Sequence, residues 1–190
     1  MKKKIVTILF LLLIACTCVF AADGDLVTSD KSQVEQVMLK KGTLITKEFY
    51  PCSKINSVSS TTGDIIVVTD VTSGAVTSGL RLSHSYYNSK YDNGDSTAVL
   101  DAKELDSVIA TLEFLNKKLP TYNKSTPYTE IIYKSNGGME IGAYHSDGSQ
   151  KFFIKFDYKD TAFFDIARVA DFLTFFNDAK NKMISLKVFN

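Results

Sequence analysis

The stretch Thr97–Leu119, TAVLDAKELDSVIATLEFLNKKL, is echoed at a constant offset by Thr161–Met183, TAFFDIARVADFLTFFNDAKNKM. Thr97, Ala98, Asp101 and Lys118 recur as Thr161, Ala162, Asp165 and Lys182. The apolar places recur by kind: Leu105 with Val169, Val108 with Phe172, Ile109 with Leu173, Leu112 with Phe176. Each copy reads as a short strand, an Asp cap and an amphipathic helix. Glu104 stands three residues after Asp101, as a capping box requires. The first apolar stripe runs Leu105, Val108, Ile109, Leu112, Leu115 and Leu119 before Pro120 stops it. The second runs Val169, Phe172, Leu173, Phe176 and Met183, with Lys180 and Lys182 at the negative end of the helix. Gly74 and Gly138 match at the same offset, each inside a turn.

Between these anchors the chain alternates. Asp64–Val71 is rich in β-branched residues and reads as a buried strand, and Leu80–Tyr86 alternates as a half-buried one. Asn88–Ser96 reads as a polar loop. Further strands are predicted at Thr129–Lys134, Met139–His145 and Lys151–Tyr158, with a hairpin at Asp147-Gly148. In the last of these, Phe152, Ile154, Phe156 and Tyr158 face one way and Phe153, Lys155 and Asp157 the other. Thr43–Tyr50 is strand-like up to Pro51, while residues 32–42 fit a helix begun by Ser32 and Glu35 or a strand equally well.

These patterns predict an α+β protein. It has one antiparallel sheet with two amphipathic helices packed on one face, built as a tandem strand-strand-strand-helix repeat with pseudo-twofold symmetry. The units span about 64–119 and 128–184. The far side of the sheet is left to Arg81, Ser83, Glu140 and Lys155. Nine of the thirteen Phe follow residue 150, which predicts the heavier core in the second unit.

The first residues carry a different message. Lys2, Lys3 and Lys4 precede a mostly apolar run from Ile5 to Phe20, the pattern of an export signal. Cleavage after Ala21 is expected, leaving 22–190 as a single domain with 22–31 as a flexible tether; the other reading is a lipid anchor on Cys16. The expected address is periplasmic or secreted, with no transmembrane span once the signal is removed. Loss of three Lys turns the formal charge of +1 into about −2, so no basic surplus points to nucleic acid. Cys52 is then the remaining thiol, and the core must hold the fold without disulfides.

Chemistry is sparse. The two His, His84 and His145, each end an alternating strand and precede a Ser; as strand-end residues they read more simply as hydrogen-bonded to backbone than as a catalytic or metal site. Cys52 lacks a positioned base. Asp70 reads as a strand-end turn residue rather than an acid, and Asp101 and Asp165 as caps rather than a glycosidase pair. Tyr86, Tyr87 and Tyr91 with Arg81 crowd one strand end, the composition of a recognition surface. The candidate ligand-binding residues are therefore Arg81, His84, Tyr86, Tyr87, Tyr91 and His145, with no catalytic, cofactor or metal residue assigned. The sequence predicts an exported binding or structural module without catalysis, meeting an envelope or extracellular partner. The alternatives are an exported hydrolase using His84, His145 and a carboxylate, and a carrier of an apolar ligand between sheet and helices.

Mass spectrometry of the exported product should find a mature N-terminus near Ala22. An intact Met1 would sink the export reading, and a lipidated Cys16 would select the anchored form.

Overall fold

The computed structural model describes residues 31–55, 58, 60–89, 92–157 and 160–189. The expected signal 1–21 with Cys16, the tether as far as residue 30, Tyr91 and Tyr158 lie outside the described residues, as does the side chain of Tyr87.

Among the described residues, eight strands form two four-stranded antiparallel sheets. The first is a meander of β1 (Ile45–Pro51), β2 (Thr61–Asp70), β3 (Val76–Ser89) and β4 (Asp92–Asp101). The second is a meander of β5 (Thr129–Lys134), β6 (Glu140–Ser146), β7 (Ser149–Lys155) and β8 (Thr161–Asp165). A 3-10 turn follows each, Ala102–Glu104 or Ile166–Arg168, and leads into α2 (Leu105–Lys118) or α3 (Val169–Ser185). A third helix, α1 (Gln33–Leu39), precedes β1.

The α+β class holds, but the single sheet with two helices is replaced by two sheets with three. The 3-10 turn after Asp101 lifts the chain out of the first sheet into α2, and the chain returns to extended form only at Thr129. β5 pairs with β6 and starts a sheet of its own. The constant offset sets β2 against β5 and β4 against β8, but it sets the long β3 against both β6 and β7. Asn88–Ser96, read as a loop, belongs mostly to the β3–β4 hairpin. Its polar residues pair across the ladder, Ser85 with Asp95, and the Tyr86 ring lies over Gly94.

One continuous core joins both sheets. Ile65, Val67, Leu80, Leu82 and Leu100 of the first sheet meet Ile141, Ala143, Phe152 and Ile154 of the second through the stripes of α2 and α3. The two helices pack on each other, tied by Lys180 and Asp106. Phe172 sits among Phe152 and Phe164, while the Phe175 ring stands so close to Gly63 of β2 that a Cβ there would lie 2.5 Å from it. The far side of the first sheet carries Arg81 and Ser83 as expected, with Arg81 paired to Asp64, but it is apolar where α1 crosses it. All four of Ile65, Ile66, Val67 and Val68 are buried, and Ile66 and Val68 pack with Val99 under Val34, Val37 and Met38 of α1. A continuous apolar strand is what a sheet covered on both faces demands.

α1 resolves the ambiguity at residues 32–42 in favour of a helix. The Ser32 hydroxyl accepts from the Glu35 N–H at 3.2 Å, and Glu35 Oε2 accepts from the Ser32 N–H at 2.9 Å. The buried Asp101 carboxylate adds a long-range cap, accepting from the N–H groups of Gln33 at 2.9 Å and Val34 at 3.1 Å. Asp165 holds the same backbone position, but its exposed carboxylate reaches Lys151 instead of a helix N–H.

Asp101→Ala should therefore cost about 2 kcal/mol in chemical denaturation. Asp165→Ala should leave the midpoint in place. Equal losses would overturn this division of labour.

Candidate functional site

The outer face of the second sheet carries no helix among the described residues. Three rows of side chains cross it. One row reads Glu130, Tyr144, Lys151, Asp165; the next reads Ile132, Gly142, Phe153, Phe163; the third reads Lys134, Glu140, Lys155, Thr161. Phe163 is 59% exposed, Tyr128 63% and Ile132 44%. Phe163, Ile132 and Tyr128 are thus open to solvent and flanked by charge, with Phe153 buried among them, on a face whose counterpart in the first sheet is partly covered by α1.

Strand parity puts these residues there. Phe152-Phe153 and Phe163-Phe164 are adjacent pairs on strands, and neighbours on a strand point to opposite faces. Phe152 and Phe164 enter the core, so Phe153 and Phe163 must point out. Gly142 supplies the floor. A Cβ there would run into the Ile131 carbonyl oxygen and stand 3.1 Å from the Phe153 ring that lies over it, so a side chain at 142 would collide with backbone as well as ring. Gly79 plays the matching part in the first sheet, where Val34 of α1 occupies the space above it.

Polar groups order the rings. The Tyr128 hydroxyl donates to Glu130, which raises the Tyr128 pKa. Tyr144 meets Phe163 edge-on at 6.4 Å and 80°, and Phe153 meets Phe163 at 6.2 Å and 50°. Lys151 pairs with Asp165 at 2.8 Å, while Lys155 and Lys134 share Glu140 at 3.3 Å and 3.7 Å. Together Tyr128, Glu130, Tyr144, Phe153, Thr161 and Phe163 line a shallow trough of about 310 Å³.

The residues singled out in the sequence lie elsewhere and do not converge. Arg81 pairs with Asp64 at 2.5 Å and stacks on Phe49, on the α1 side of the first sheet. Tyr86 covers Gly94. His145 is fully buried in β6, its Nε2 2.9 Å from the Asn123 carbonyl; a carbonyl only accepts, so Nε2 carries the proton and the ring holds the α2–β5 connector. His84 is buried in β3, with Nδ1 3.0 Å from the Thr61 hydroxyl and its ring stacked 5.2 Å from Phe156. His145 pairs with Gln150 and His84 abuts Phe156, so the two rings flank opposite ends of β7, separated by roughly 20 Å of extended chain. Burial pushes the Cys52 thiol up to about 11, only partly offset by Lys182, which leaves it protonated and unreactive. Asp70 caps a turn, accepting from the Thr72 and Ser73 N–H groups and from Lys40; the Ser73 bond is the main reason its pKa falls.

None of Tyr128, Glu130, Tyr144, Phe153 or Phe163 was singled out by sequence: aromatic richness after residue 150 reads as core, and Tyr128, Glu130 and Tyr144 fall in no motif. The signal present was the doubled Phe on two neighbouring strands, since only one of each pair can face the helices.

Among the described residues no group of His, Cys, Asp and Glu is arranged to hold a metal ion, and no helix is long and apolar enough to cross a membrane. No family model, curated protein or solved structure matches the chain.

His84 gives the fold a pH dependence. Burial holds its pKa below the ordinary 6.5, with Asp160 and the Ser60 carbonyl pulling the other way. As pH falls the unfolded chain takes the proton first. The stability tied to neutral His84 is therefore fully present above about pH 6.5 and declines below it. His84→Gln should flatten the slope of unfolding free energy between about pH 6.5 and 5. An unchanged slope would assign it to another group.

Proposed function

We propose that the chain is an exported, non-catalytic binding protein whose recognition surface is the outer aromatic face of the second sheet. The observation that carries this reading is the exposure of Phe163 and Tyr128 on a face rimmed by paired charges, where contiguous aromatic surface has no packing purpose. Tyr and Phe on rigid strands offer large contact area at low entropic cost. The hydrolase reading asks His84 and His145 to meet, and they stand at opposite ends of a strand. The carrier reading asks for space among the core phenylalanines, and Phe152, Phe172, Phe175 and Phe176 pack on one another and on the sheets. The two meander-helix units are read as a tandem duplication about a pseudo-twofold. In support, Gly74 and Gly138 share a left-handed φ of +71° and +82°, and both helices are entered through 3-10 turns.

Hydroxyl-radical footprinting tests the surface without knowing the ligand. In purified protein, Phe163, Tyr128 and Phe114 (51% exposed, on α2) should oxidise at comparable rates. In the native extracytoplasmic fraction Phe163 and Tyr128 should be protected while Phe114 stays reactive. Equal oxidation of all three there would sink the reading.

A further inference from the structure

We infer that the trough on this face binds a small quaternary ammonium ion of the choline type. The inference rests on the face being a recognition surface and adds the chemistry of what it recognises.

Four aromatic rings and one carboxylate surround the trough: Tyr128, Tyr144, Phe153 and Phe163 with Glu130. The rings do not share one plane: Tyr144 stands at 80° and Phe153 at 50° to Phe163. Ring faces carry negative quadrupole density and attract cations, quaternary ammonium above all. Charge on the face is distributed to match. Each described lysine on it closes on an acid, Lys151 on Asp165 and both Lys134 and Lys155 on Glu140. Glu130 is the acid without a cation among the described residues, its bonded partner being the neutral Tyr128 hydroxyl. The aromatic end of the face is therefore its negative end.

Donor arithmetic selects among cations. An ammonium head brings three N–H donors and a guanidinium five, each needing an acceptor once desolvated. The trough offers one Glu130 oxygen that Tyr128 does not bond and the hydroxyls of Thr161 and Tyr144, enough for an ammonium's three donors and short of a guanidinium's five. A trimethylammonium group brings no donor, is weakly hydrated, and presents methyls to the rings. A volume of about 310 Å³ lies at the small end of ligand pockets, which suits a compact ion. A soluble ion is favoured over a lipid headgroup because the rim is charge-balanced, without the basic cluster that draws a protein to an anionic bilayer.

The test is a titration of the full mature chain, followed by backbone amide NMR shifts. Its three arms are choline, the neutral isostere 3,3-dimethyl-1-butanol and phosphatidylcholine vesicles. Choline should saturate at roughly millimolar affinity, as a ligand of so few atoms must, with shifts centred on Tyr128, Glu130, Tyr144 and Phe163. The neutral isostere should bind about tenfold more weakly. Phe163→Ala should weaken choline about tenfold. Glu130→Gln should weaken it only about threefold, because that carboxylate is exposed and screened. Tyr144→Leu keeps the apolar bulk but removes the π face, so choline binding that survives it unchanged overturns the inference. All three positions lie outside the core, and an unaltered thermal midpoint certifies the fold of each variant. Equal binding of choline and its isostere overturns the cation while leaving an apolar recognition face standing. Absence of saturation in every arm also overturns it; protection of Phe163 in the footprint then still judges the face on its own. Binding to vesicles without binding to free choline overturns the soluble source.

Discussion

Two buried carboxylates, one helical turn apart, hold the architecture together. Asp101 closes β4 and accepts from Gln33 and Val34 at the start of α1. Glu104 accepts from the Asp101 N–H at 3.1 Å, the Tyr133 hydroxyl at 3.1 Å and the Asn136 N–H at 2.8 Å. The first sheet, its covering helix, the start of α2, β5 and the β5–β6 turn thus converge on four oxygen atoms. Buried carboxylates demand that many donors to offset desolvation, and here the donors come from segments far apart in sequence. Tyr133 reports the same environment: burial first, then Glu104, drives its pKa upward, so it remains a hydrogen-bond donor at any physiological pH.

That junction explains why the two sheets differ in exposure. Once Asp101 has captured α1, Val34 settles over Gly79 and the first sheet loses one end of its outer face to the core, while Arg81 and Asp64 stay partly exposed on the rest. Nothing among the described residues does the same for the second sheet. Its glycine, Gly142, is covered by Phe153 from the neighbouring strand, which fills the hole without hiding Phe163, Tyr128 or Ile132. Two sheets of like topology have been given unlike outer surfaces, and the open one carries the aromatic trough. The histidines and the cysteine contribute to the fold instead: His145 pins a connector, His84 bridges the sheets against Phe156, and Cys52 is a protonated filler beside the core.

The sequence by itself determined the local elements. Asp101 with Glu104 and the spaced stripes of α2 and α3 carry their hydrogen bonds and periodicity within a few residues, so those two helices were legible, while Ser32 with Glu35 left residues 32–42 open between helix and strand. The parity of Lys151–Lys155 and the turn glycines Gly74 and Gly138 were legible for the same reason. The run Ile65–Val68 was legible as a buried strand, though not that a helix would cover its second face. Only the tertiary structure decided how these pieces were shared out. Whether β5 joins β4 or founds a second sheet depends on where the 3-10 turn at Ala102–Glu104 sends α2, and residues 32–42 settle as a helix where Asp101 waits to cap them. The aromatic face is of this second kind. Parity already set Phe153 with Lys155 on the face away from Phe152, Ile154 and Phe156, but that this outer face would stay uncovered was decided by where the helices pack, and those contacts are long-range.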